Sequence, residues 1–170
     1  MRSSVTVLLL VVILLSSFPQ SVFADNAGHL FFIERNKNKH LVQYDIRLTE
    51  NSDLLDPGPI NVYWILESGR CEELNPIERK YAYGIVRQEK LDKDKFKVIV
   101  AGLKGLEIIV ERMNDSFKAT VSIKGRESIL EKIYIKSEEK LKGLPKVLYI
   151  DLFGRTKEMG LPIKERIAPK

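Results

Sequence analysis

Apolar and polar residues alternate one by one along most of the chain beyond residue 28. Phe117, Ala119, Val121 and Ile123 are separated by Lys118, Thr120 and Ser122. A period of two puts the apolar set on one face of an extended strand and the polar set on the other. The same pattern runs through Val42, Tyr44, Ile46 and Leu48, through Ile60, Val62, Trp64 and Leu66, and through Phe96, Val98 and Val100. It is less clean at Ile133 and Ile135, and at Leu148, Ile150 and Leu152. Strands are therefore predicted over 29–35, 40–48, 60–67, 81–88, 95–101, 106–113, 117–124, 128–136 and 146–153, about nine in all.

Turn residues sit between these runs. Asn36-Lys-Asn-Lys39, Gly102-Leu-Lys-Gly105, Asn114-Asp-Ser116 and Gly125-Arg-Glu127 are rich in residues that accept positive φ and close tight hairpins. The connections are too short for the crossovers that parallel strands need, so the sheet is expected to be an antiparallel meander. At this strand number it should curl into a small barrel or a curved sandwich. The fold class is thus all-β with one or two short helices. Asn75-Pro-Ile-Glu78 has an N-cap residue, Pro at the first helical position and Glu at the third, which predicts a short helix from about Pro76 to Lys80. Ser137 to Lys142, ahead of Gly143 and Pro145, is the second candidate helix. The stretch from Glu50 to Pro59, rich in Asp, Gly and Pro, reads as a loop.

The N-terminus departs from this picture. Val5 to Leu15 is an apolar run behind Arg2, followed by Val22-Phe23-Ala24 with small residues at the −3 and −1 positions. This is the form of a cleaved export signal over residues 1–24. The run is well short of the roughly 20 residues a membrane-spanning helix requires. The expected product is a single β domain over 25–153 with a basic tail over 154–170, periplasmic or secreted, with no membrane span in the mature chain. The tail is expected to be mobile or laid across the body.

Composition narrows the function. The 28 Lys and Arg against 23 Asp and Glu give a modest positive charge, and runs such as Lys90-Leu-Asp-Lys-Asp-Lys-Phe-Lys97 mix both signs. Nucleic-acid binding needs basic residues gathered on one face, so it is not expected. Cys71 is the one cysteine, which excludes an intramolecular disulfide and leaves stability to the core. Cys71 pairing between chains stays open.

No catalytic motif emerges. His29 and His40 flank the first hairpin some 20 Å apart at about 3.3 Å per residue, so they do not share a metal ion and read as strand-end histidines. Neither a Gly-x-Ser-x-Gly elbow nor a phosphate loop is present. No cofactor is expected. Acidic residues next to apolar runs, namely Glu67, Glu73, Glu78, Glu131 and Asp151, offer material for paired-carboxylate hydrolysis, or else pair with an arginine such as Arg87 or Arg112.

Aromatic residues give the stronger signal. Tyr44 and Trp64 fall on inward registers, and Tyr81 and Tyr83 are expected to share one face of the 81–88 strand, so these rings line a cavity or fill the core. The runs His29-Leu-Phe-Phe-Ile-Glu-Arg-Asn36, Pro59-Ile-Asn-Val-Tyr-Trp-Ile-Leu66 and Asn75-Pro-Ile-Glu-Arg-Lys-Tyr-Ala-Tyr-Gly-Ile85 together resemble an exported bacterial family, the domain of unknown function numbered 4833. The resemblance covers roughly Leu30 to Leu152. It implies export and a compact domain and brings no catalytic residues with it. It adds Asn61, Tyr63 and Glu78 to Tyr44, Trp64, Tyr81 and Tyr83 as candidate binding residues. The leading expectation is a binding or interaction module for a small apolar or amphipathic ligand, or for another envelope protein, with no enzymatic activity. The alternatives are a structural envelope protein that assembles through strand edges, and a hydrolase of envelope glycans or lipids drawing on Glu67, Glu78, Glu131 and Asp151.

Overall fold

The computed structural model describes residues 28–51, 53–55, 58–138 and 145–168. The expected export signal over 1–24 and most of the candidate helix over 137–142 lie outside the described residues. Among the described residues there are eleven strands: β1 Gly28–Arg35, β2 Leu41–Ile46, β3 Ile60–Ile65, β4 Cys71–Glu73, β5 Ile85–Asp92, β6 Lys95–Val100, β7 Ile108–Met113, β8 Ser116–Ile123, β9 Arg126–Glu138, β10 Lys146–Thr156 and β11 Pro162–Ile167. They form one sheet in the order β4-β3-β2-β1-β9-β8-β7-β6-β5, with β10 on the other edge of β9 and β11 beyond it. The sheet curls into a half-barrel, as the alternating pattern predicts.

The inward residues stack in cross-strand rows. Phe31 faces Tyr44, which faces Val62, while Ile33 faces Val42, which faces Trp64. On the other arm Phe96 faces Val110, which faces Ala119. These side chains are buried and form one continuous core with Ile133, Ile150 and Leu152. Burying each large apolar side chain contributes about 1.5–3 kcal/mol. Lys95, Lys97 and Lys118 alternate to the outside. Asn114 at φ 55°, and Lys124 and Gly125 at φ 52° and 73°, close the β7–β8 and β8–β9 hairpins, as the turn chemistry requires.

The ladders are antiparallel with one exception. β1 runs parallel to β9 over Phe32–Arg35 and Lys132–Ile135. The first strand returns to the long ninth strand from the far end of the chain, so no crossover helix is needed. The side chain of Asn36 extends this ladder, accepting from the Ser137 N–H at 2.8 Å and donating to the Ser137 carbonyl at 3.1 Å. Ser137 and Glu138 are consequently strand, not the start of a helix.

One further expectation is corrected, and of the two forms expected for the tail the structure has the one laid across the body. The strand expected over 81–88 begins at Ile85, and residues Arg79–Tyr83 form a π-helical turn that continues the short helix α1, Pro76–Glu78. The Asn75 side chain caps the Glu78 N–H and the Glu78 side chain answers the Asn75 N–H, which nucleates the helical path. Gly84 ends it, where an added Cβ would lie 2.1 Å from the Arg79 carbonyl oxygen. The segment after Gly154 is laid down as the end of β10 and as β11, which pairs with β10 from Pro162 to Ile167. Its Ile163 and Ile167 pack on the core. The short β4, too brief for a periodic signal, has no counterpart among the nine expected strands.

Candidate functional site

The expected binding residues separate into an interior group, an outer-face group and one exposed ring. Inside, Tyr44 is fully buried, stacked on Phe31 at 4.4 Å between centroids, and donates its hydroxyl to the Tyr83 carbonyl at 2.7 Å. Trp64 meets Tyr83 edge to face at 5.3 Å, and its Nε1 donates to Glu78 Oε2 at 3.0 Å. The Arg35 guanidinium lies over the Trp64 ring at 4.6 Å and 5.7 Å from the Tyr83 centroid. Its Nε is buried without a hydrogen-bond partner among the described residues. The space beside Trp64 is therefore occupied by Arg35, Tyr83 and Glu78. Burial pushes the Tyr44 phenol well up from its ordinary value. Burial also raises Tyr83, against the opposing charge of Arg35.

Asn61 and Tyr63 alternate to the other face of β3. There the Tyr63 hydroxyl donates to Asp45 Oδ2 at 2.5 Å, and Gln43 Nε2 donates to Asp45 Oδ1 at 3.0 Å and to the Tyr63 oxygen at 3.0 Å. His29 Nδ1 reaches Asp45 Oδ1 at 3.2 Å. Burial alone would raise the Asp45 carboxyl, but the hydrogen bonds from His29, Tyr63 and Gln43 outweigh it and hold the group below its ordinary value. Burial and the same carboxylate push the Tyr63 phenol far up. Asp45 and Gln43 fall on the polar phase of β2 in the sequence, and their register opposite His29 and Tyr63 is supplied only by the ladders. Tyr81, on the π turn, is exposed at 56% and does not share a face with buried Tyr83.

The acidic candidates each have a partner of their own. Glu67 pairs with Lys39 at 2.9 Å, Glu73 with Arg79 at 3.7 Å, and Glu131 with Arg155 at 2.7 Å. Asp151 is held by Arg166 and Lys164, so the partners come from the C-terminal segment and not from Arg87 or Arg112. Glu78 serves Trp64 and the helix cap.

The sheet is open along one line. Among the described residues no ladder joins β3 or β4 to β5, and the helical turn over 76–83 bridges the gap. Two adjoining clefts run along it. One of about 310 Å³ lies between Gly58, Ile60 and Val62 on one bank and Arg79 and Ile85 to Gln88 on the other. The next, about 380 Å³, continues from Gln88 past Lys90 and Phe96 and faces Asp53, Leu54, Leu55 and Pro59. Large apolar side chains are exposed here. Leu55 and Val86 stand on the banks, Leu91 is exposed farther along β5, and Ile77 and Tyr81 project from the turn that carries Arg79, leaving only Met159 and Leu161 of this class elsewhere among the described residues. These residues were not visible as a site in the sequence, because a strand with apolar residues on both phases reads as ordinary core. No helix among the described residues is long and apolar enough to cross a membrane.

A family model described as a domain of unknown function, DUF4833, matches residues 31–166, which spans the sheet from β1 to β11. No curated protein and no solved structure matches the chain.

Proposed function

We propose that this chain, which belongs to the DUF4833 family, is an exported, non-catalytic interaction module that docks an extended segment of a partner polypeptide along the open line between β3 and β5. The observation that carries the reading is the coincidence of that opening with exposed Leu55 and Val86, with Leu91 exposed farther along the same edge strand. An unpaired strand edge presents a row of backbone donors and acceptors, and an added strand satisfies them while its alternate side chains enter pockets beside the edge. Among the described residues β5 pairs with β6 alone. Its neighbouring cleft has an apolar floor at Phe96 and Leu54 and a polar rim at Asp53, Gln88 and Lys90.

The edge also carries features that discourage pairing with a second copy. The register of β5 shifts at Val86 and again at Leu91, and Lys90 stands opposite Phe96 on the core side. Bulges and inward charges of this kind are how exposed edges resist self-association. A partner with a matching irregularity is admitted where an identical strand is not. The signal over residues 1–24 supports a partner that is itself exported, in the envelope or outside the cell.

The test uses an array of immobilised decapeptides, half with alternating apolar and polar residues and half with the same composition in blocks. The mature protein should bind a subset of the alternating peptides, and the double variant Val86→Lys, Leu91→Lys should lose them. Equal binding to block peptides, or unchanged binding by the variant, contradicts the reading.

A further inference from the structure

On the edge facing away from β10, β9 changes partner midway. β8 pairs with it from Arg126 to Ile129 and β1 from Lys132 to Ile135, while Leu130 and Glu131 have no ladder partner on that edge. β1 and β8 diverge from this point and leave a cleft of about 550 Å³, within the range usual for a small-molecule site. Its wall is apolar at Leu30, Phe32, Leu130 and Phe153. Two of its charged residues are already matched, Lys132 to Glu34 at 3.0 Å and Glu131 to Arg155 at 2.7 Å. Two polar groups are not. Lys118 has no carboxylate within 4 Å among the described residues, and His29 is tied through Nδ1 to Asp45, leaving Nε2 without a protein partner there.

We propose that this cleft binds an amphipathic monocarboxylate, with the ammonium of Lys118 receiving the carboxylate and the Phe32 ring, stacked beside the His29 ring, receiving the apolar body. The inference is independent of the polypeptide-docking reading, since it concerns the fork between β1, β9 and β8 in the middle of the strand order and not the line between β3 and β5. Charge complementarity selects the sign. With the two ion pairs closed on themselves, the uncommitted charge on the wall is Lys118, and an anion neutralises it where a cation is repelled. His29 is a positioned group. The buried carboxylate of Asp45, itself fixed by Tyr63 and Gln43, holds the imidazole by Nδ1 and so fixes the ring beside Phe32 on the wall of the cleft. Burial of an alkyl or aryl body against the Phe32 ring supplies the remaining affinity.

The experiment is isothermal titration of the mature protein with octanoate, with octylamine and octanol as matched probes, together with amide and imidazole NMR shifts. Octanoate should bind, at least tenfold more tightly than octylamine, and should shift the His29 ring and the Leu30 and Glu131 amides. Lys118→Ala and His29→Ala should each weaken octanoate at least fivefold while the thermal midpoint stays within a few degrees of the parent. Should either variant fail to fold, the milder Lys118→Gln and His29→Gln replace it. The inference is overturned if octanoate does not bind, if octylamine binds equally well, or if folded variants keep the parent affinity. The double variant Val86→Lys, Leu91→Lys should leave octanoate binding unchanged, which separates this result from the fate of the docking reading.

Discussion

Asp151 and Arg166 face each other across the β10–β11 ladder, with Oδ1 2.7 Å from Nε and Oδ2 2.9 Å from Nη2. The arginine also lies 3.7 Å from the centroid of Tyr149, and Lys164 adds a contact to Asp151 at 2.9 Å. The Asp151 side chain is only 4% exposed. The final strand is thus the counter-charge of a buried carboxylate.

This pairing sets an acid dependence. The Arg166 guanidinium, with Lys164, holds the Asp151 carboxyl well below the usual carboxylate range. A depressed carboxyl contributes stability that is fully present above its unfolded pKa of about 3.9 and is lost as pH falls below that value toward the folded one. Asp151→Asn should lower stability by about 1–3 kcal/mol at neutral pH, by removing the counter-charge of two cations and one of their two acceptor oxygens. The gap between parent and variant should narrow below about pH 4. Thermal melts of both proteins between pH 3 and 8 check the sign; a gap that widens in acid contradicts it.

Gly154 marks the register shift between β9 and β10, where an added Cβ would sit 2.2 Å from the Ile129 carbonyl oxygen. The obstacle is backbone and does not swing aside. Gly154→Ala should cost at least about 2 kcal/mol through overpacking, read as a lower urea midpoint. An unchanged midpoint would show that the two strands separate freely there.

Much of this architecture was legible in the residues themselves. The alternation in Phe117–Ile123 and Val42–Leu48, and the turns at Asn114 and Gly125, placed nine strands to within a few residues. The misses have local physical causes. At Arg79–Tyr83 the reciprocal cap between Asn75 and Glu78 prolongs the helical path past the point where Tyr81 and Tyr83 look like alternating strand residues. β11 has its apolar residues at Ile163 and Ile167, four apart, so its strand character depends on β10 lying beside it. The opening between β3 and β5, and the fork at Leu130, depend on which strands are neighbours, and period-two patterning is silent on neighbours.

Trp64 tests the interior group. Trp64→Phe keeps an edge-to-face ring contact with Tyr83 but removes the donor to Glu78, which also anchors the helix cap. A loss of about 1–2 kcal/mol is expected. Trp64→Ala should cost about 3–5 kcal/mol through the cavity left in the core. If both substitutions cost the same, the Glu78 contact is not what positions the turn over 76–83.

Tyr63 tests the outer network. Tyr63→Phe removes the 2.5 Å hydrogen bond to Asp45, and should cost about 1–3 kcal/mol and raise the Asp45 carboxyl pKa, since one of the bonds favouring its charged form is gone. Carboxyl carbon NMR titration of Asp45 reads that shift directly, and an unmoved or lowered titration would contradict the assigned hydrogen bonding.

The most direct measurement on the docking reading is site-specific photocrosslinking in intact cells of the source organism. A photoreactive residue replaces Val86 or Leu91 in the full chain, with exposed Arg126 on the β8–β9 turn as the reference position. The account predicts an adduct with one and the same foreign polypeptide at Val86 and Leu91, mapped to an extended segment with alternating apolar residues, and no such adduct at Arg126. Equal labelling at all three positions, adducts only with a second copy of the chain, or no adduct on β5 would contradict it.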